Sequence, residues 1–198
     1  MPPACARRPG PSFWERPEPP SFASSGETPL PSLGPRGTEA LALLLAREAG
    51  LSGEALGEAL YGEPNPGALK ALLHRLREKG FRIACSPYRL ENPPPSDLRA
   101  FLRALSRGNL EEALALYQGP LLPWSQAPGV EELRLELEEA LRQAVLAQGD
   151  TENLFLLAER LGEDLEVWEA LLERLPPEDP RLPIARARVA RLRREYGV

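Results

Sequence analysis

The chain has 198 residues, 42% of them hydrophobic and 6% aromatic, with a formal net charge of -5. This is the balance of an ordinary globular protein with enough apolar material for one large or two small cores. No apolar run approaches the roughly 20 residues that a membrane-crossing helix needs, and Arg7 and Arg8 are followed by proline-rich sequence, so neither a membrane span nor a signal peptide is expected and the cytoplasm is the expected compartment.

Residues 1–19 form a proline-rich arm expected to be disordered, because seven prolines among the first 20 residues leave little to pack. From Ser21 to Leu33 a Ser-Ser-Gly-Glu turn lies between two short extended pieces, the pattern of a small hairpin whose prolines confine it to a sheet edge. Gly34-Pro35 opens a first helix expected over Arg36 to Ala49, with Leu41, Leu44 and Leu45 at helical spacing and Gly50 as its stop. Ser52 is the N-cap of a second helix that ends at Tyr61-Gly62.

The third helix is expected from Gly67 to Lys79, ahead of Gly80. Leu69, Leu72, Leu73 and Leu76 form its inward stripe. Its opposite face carries Ala71, His74 and the acid Glu78, flanked by Lys70 and Arg77 on one side and Arg75 on the other, with Lys79 nearer the stripe. Phe81-Arg82-Ile83 and Tyr88-Arg89-Leu90 then alternate apolar and polar about the turn Ala-Cys-Ser-Pro, as two edge strands do. Three helices and a terminal hairpin make a winged helix-turn-helix. Between Asn65 and Glu91, lysines and arginines outnumber acids 6 to 2, a local basic face on an acidic chain. A cationic helix joined to a cationic hairpin suits a helix in the DNA major groove and a wing beside the backbone.

Pro93-Pro94-Pro95 reads as a stiff linker and domain boundary, after which Ser96 caps a helix starting at Asp97. Further helices are expected over Asn109–Tyr117, Val130–Gln148, Thr151–Leu161, Leu165–Leu175 and Pro183–Tyr196, with Gly, Asp and Pro breaks between several of them. Helix pairs joined in this way stack into a tetratricopeptide-like domain. Residues 97–180 carry 7 Arg against 18 acids, whereas residues 181–198 carry 6 Arg and one Glu. The basic last helix has two uses open to it, contact with DNA or pairing with its acidic neighbours.

Cys5 and Cys85 are the only cysteines and His74 the only histidine, with no metal-ligand spacing and no glycine-rich phosphate loop. Neither an enzyme nor a cofactor or metal site is expected. The expected fold class is mainly α: a winged helix-turn-helix with a small β-hairpin wing, followed by a tetratricopeptide-like α-helical domain.

The segments LHRLREKG, PYRLE, DLRAF, LYQGPLLP (Leu116 to Pro123) and RVARLRREYGV, in this order, resemble the SARP-type bacterial transcriptional regulators. Those regulators join an OmpR-like winged helix to a bacterial transcriptional activator domain of tetratricopeptide-like helices. The resemblance implies a winged helix DNA-binding domain over 20–92 and an activator domain over 96–198. It also implies that Gly67 to Lys79 is the recognition helix and Arg82 to Arg89 the wing. The DNA-binding candidates are then Lys70, His74, Arg75, Arg77 and Lys79 from the helix, and Arg82 and Arg89 from the wing. Arg77 and His74 are the candidates for base edges, and Lys79, Arg82 and Arg89 for phosphates. The expected partners are double-stranded DNA, RNA polymerase, a second copy in a homodimer, and a small-molecule effector bound in the helical domain or near Arg99, Arg103 and Trp124. The alternative is a protein-interaction scaffold whose winged helix does not bind DNA.

Overall fold

A computed structural model of the protein describes residues 33–197, and these form nine α-helices and one two-stranded hairpin. The expected arm over 1–19 and the expected hairpin from Ser21 to Leu33 lie outside the described residues, apart from Leu33 itself. The mainly α class is as expected.

The first helix, α1 (Gly34–Ala46), starts two residues earlier than expected because Pro35 fits a first turn, where its missing N–H leaves no bond unmade. It ends three residues early, and a turn closed by Gly50 N–H on the Arg47 carbonyl (2.8 Å) follows. All seven residues from Glu39 to Leu45 are buried, so α1 is enclosed on every side. In α2 (Gly53–Tyr61) the Ser52 hydroxyl accepts the Ala55 N–H (3.0 Å), and Gly62 terminates the helix at φ 80°. α3 (Pro66–Glu78) is capped by the Asn65 side chain on the Ala68 N–H (3.1 Å), and it buries the four expected leucines.

The end of α3 delays the strand that follows it. Gly80 (φ 92°) donates to the Arg77 carbonyl at 2.9 Å and Phe81 to the Leu76 carbonyl at 3.1 Å, a Schellman closure. Phe81 therefore has no N–H left for a ladder, and β1 (Ile83–Ala84) starts two residues later than expected. It pairs antiparallel with β2 (Arg89–Leu90), Ile83 opposite Leu90 and Ala84 opposite Arg89.

Internal contacts divide the chain into two units. The first holds the described residues through Leu102 together with Pro120–Leu135; the second holds Arg103–Gly119 and Glu136 onward. Two helices, α4 (Asp97–Ser106) and α6 (Pro128–Gln148), contribute residues to both. The division falls elsewhere than at Pro93–Pro95, and hydrogen bonds inside the first unit give the reason. The buried Glu39 carboxylate accepts from the Ser125 hydroxyl at 2.7 Å and from Arg36 Nη1 at 2.9 Å. The Arg134 guanidinium donates to the carbonyls of Leu121 and Leu122 (2.7 Å each) and of Ser125 (3.0 Å). These bonds fix the segment after Pro120 to the unit that contains α1. They also hold Leu122 at φ 42°, a left-handed conformation costly for a leucine.

In the second unit, α5 (Leu110–Leu116), α7 (Thr151–Leu161) and α8 (Leu165–Arg174) are capped by Asn109, Asp150 and Asp164 through side-chain bonds to backbone N–H groups. The last helix, α9 (Leu182–Tyr196), packs on α8, which packs on α7. The fully buried Trp168 meets the Phe155 ring edge-on, 6.4 Å between centroids, and donates its indole N–H to the Gly162 carbonyl (3.1 Å). Tyr117 is buried as well, its hydroxyl donating to Glu138 Oε2 at 3.0 Å.

The basic last segment pairs with its acidic neighbours. Arg181 reaches Glu152 at 2.7 Å and Arg193 reaches Glu169 at 2.7 Å, while the Arg188 guanidinium lies 5.9 Å from the Trp168 ring centre.

Candidate nucleic-acid interface

Four leucines, each no more than 3% exposed, hold α3 to the first unit, and the seven basic or histidine candidates on α3, at its C-cap and on the hairpin are all exposed. Helical spacing puts Gly67, Ala71, His74 and Glu78 on one line opposite the leucines. Lys70 and Arg77 flank that line on one side and Arg75 on the other.

The hairpin is pinned rather than pendant. Leu51, between α1 and α2, exchanges two backbone bonds with Tyr88: its N–H donates to the Tyr88 carbonyl (2.9 Å) and its carbonyl accepts the Tyr88 N–H (2.8 Å). Gly50, at φ 87°, makes this approach possible, since a Cβ there would lie 2.8 Å from the Tyr88 carbonyl oxygen. Ile83 is buried on the inner face of the ladder. Alternation puts Arg82 and Arg89 together on the outer face, both exposed.

Among the candidates Arg77 has a different employment. Its Nε and Nη2 both donate to the Ile83 carbonyl, at 3.3 and 3.0 Å, and Nη2 lies 3.2 Å from Cys85 Sγ. Arg77 thus ties the recognition-helix candidate to the first strand of the hairpin. Its helical position gave no sign of this, because the accepting carbonyl is supplied by the folded hairpin. His74 Nε2 stands 3.8 Å from Glu78 Oε1, one turn along the helix. The side chains of Lys70, Arg75, Arg82 and Arg89 make no ion pair or hydrogen bond among the described residues. Arg75 and Lys79 also line a groove of about 310 Å³ between the end of α3 and the start of α1, floored by Leu72 and Leu76.

Of the residues proposed for an effector, Arg99 donates to Glu48 at 3.3 Å and approaches the Pro93 carbonyl at 3.5 Å. A second groove, of about 540 Å³, lies elsewhere in the first unit among Leu43, Leu51, Ala59 and Pro128. Among the described residues no group of three or more His, Cys, Asp or Glu side chains is arranged to hold a metal ion, and no helix is long and apolar enough to cross a membrane.

Residues 161–198 match the family model of the third C-terminal helical domain of YTH3-like proteins. Over 168 residues the chain is 36% identical to a protein of Rhodococcus erythropolis described as an uncharacterized 47.3 kDa protein in the thcA 5' region. That similarity covers 82% of this chain but 38% of the relative, so the chain spans well under half of the relative's length. No solved structure matches.

Proposed function

We propose that the protein is a double-stranded DNA-binding transcriptional regulator in which α3 enters the major groove and the hairpin flanks it as a wing. The observation that carries this reading is the set of four cations, Lys70, Arg75, Arg82 and Arg89, that are exposed on α3 and the outer hairpin face without a partner among the described residues. Cations left unpaired on a rigid helix and strand are available to phosphates, and the release of counterions supplies the affinity. Winged helix and tetratricopeptide-like are the names this reading gives to the two parts of the chain. Their resemblance to SARP-type regulators supplies the remaining roles: the helical unit contacts RNA polymerase, self-associates or senses a small molecule. A single winged helix makes few phosphate contacts, so two copies on paired half-sites give the useful affinity, and a homodimer is part of the proposal.

Arg77 has a revised role in this scheme. It braces the wing against α3, and base contact falls to the residues of the outward line.

The test is binding of genomic fragments by fluorescence anisotropy across a salt series. The expected result is affinity that falls steeply with salt, with a slope that flattens by about one for each phosphate contact removed in Arg75→Ala or Arg89→Ala. Affinity independent of salt, or unaffected when Arg75→Ala and Arg89→Ala are combined, would reject DNA binding in favour of a protein-interaction scaffold.

A further inference from the structure

The outward line of α3 carries an acid where non-specific attraction to DNA favours a base. Glu78 is the last residue of the helix, where a negative charge also opposes the helix dipole. Its side chain is 62% exposed, and its one partner among the described residues is His74, itself 72% exposed, at 3.8 Å. Among the described residues Glu78 therefore caps nothing and braces nothing. Arg77, its neighbour in sequence, is engaged by the Ile83 carbonyl and Cys85. The groups on the midline of the outer face of α3 are thus Ala71, His74 and, at its C-terminal end, Glu78.

We propose that this line is the sequence-reading edge of α3, and that Glu78 accepts a hydrogen bond from the N4 amine of a cytosine, which makes one C·G pair a fixed element of the DNA site. The proposal rests on the DNA-binding reading given above and names the ligand that reading lacks. An ionised carboxylate only accepts hydrogen bonds, so it pairs only with donor edges. Guanine presents two acceptors in the major groove and repels it. Adenine presents its N6 amine beside the N7 acceptor, and thymine presents an acceptor and a methyl group; cytosine alone offers an amine without an acceptor of its own. Glu78 thus discriminates by rejection as much as by attraction, and weakens binding to every site that lacks the cytosine. Ala71 and Glu78 are seven residues apart, about 10 Å along the helix. A helix inclined in the groove advances along the duplex by less than its own length, so at roughly 3.4 Å per base pair the cytosine lies within about three pairs of the step that Ala71 faces.

The test is selection from a pool of randomised duplexes with the full chain, its Glu78→Gln variant and its Glu78→Ala variant, each checked for unchanged helicity by circular dichroism. Wild type is expected to enrich a cytosine at one position and to lose about tenfold in affinity when that pair is changed. Glu78→Gln moves the preference at that position to adenine, whose N6 and N7 an amide matches. Glu78→Ala binds non-specific DNA at least as tightly as wild type and loses the preference at that position alone. If wild type and Glu78→Ala enrich the same motif with the same strength at every position, the assignment of Glu78 is wrong and the DNA-binding reading stands. If wild type enriches no sequence and its binding does not depend on salt, the DNA-binding reading falls, and the role of Glu78 with it.

Discussion

Glu39 is 3% exposed, and a carboxylate so buried is tolerable only while its oxygens have donors. Arg36 and Ser125 supply them, and Arg36 is itself held by the Leu60 carbonyl at 2.7 Å and by the Tyr61 ring. Ser125→Ala is expected to lower stability by about 1–3 kcal/mol, the cost of leaving a buried acceptor short of a partner; urea denaturation measures it. Arg77→Ala removes two donors from the Ile83 carbonyl, and because the side chain is exposed the stability cost is expected near 1 kcal/mol. The hairpin amides are expected to exchange faster with solvent in that variant while those of α1 keep their protection, as hydrogen exchange would record. At this scale the sequence showed which residues bear charge but not what they meet. A serine 86 positions from its carboxylate and a carbonyl six residues from its arginine are both products of folding.

Individual elements were far more legible, because capping is written in neighbouring residues. Ser52, Ser96 and the Gly80 stop were read directly. Asn65, Asn109, Asp150 and Asp164 act by the same chemistry. Asp150→Ala should destabilise the second unit by about 1 kcal/mol, read from its thermal unfolding. The hairpin was legible in its alternation, though not in its start, since the Schellman closure of α3 takes the Phe81 N–H. Nor did periodicity show how the hairpin is anchored. The anchor is Gly50, and Gly50→Ala brings a Cβ to 2.8 Å from the Tyr88 oxygen at a φ that alanine disfavours. That variant is expected to lose more than about 1 kcal/mol and, on the DNA-binding proposal, also affinity through a displaced hairpin; denaturation and the salt-series binding assay read the two losses separately.

For the molecule as a whole, leucine and alanine spacing pointed to a mainly helical chain, and charge left open whether the basic end served DNA or the protein itself. The pairing of Arg181 and Arg193 with Glu152 and Glu169 shows it engaged with its own neighbours. The buried Tyr117 adds a dependence on pH. Burial, and then the negative charge and hydrogen bond of Glu138, push its phenol above the ordinary tyrosine range. The folded state therefore holds a proton that the unfolded chain releases near pH 10. Tyr117 accordingly contributes stability that is fully present below that pH and declines above it. Alkaline denaturation should show this decline in wild type and a shallower one in Tyr117→Phe.

The Glu39–Ser125 bond bears on how the protein can be divided. A fragment cut at the proline run would keep α1 with its buried carboxylate but part with the hydroxyl that satisfies it, and with Arg134. Such a piece loses wall as well as polar partners, since Leu121, Leu122 and Val130 also stay behind. The helix-and-hairpin half is therefore not a transplantable module, and a graft that preserves it must carry residues 120–135 along.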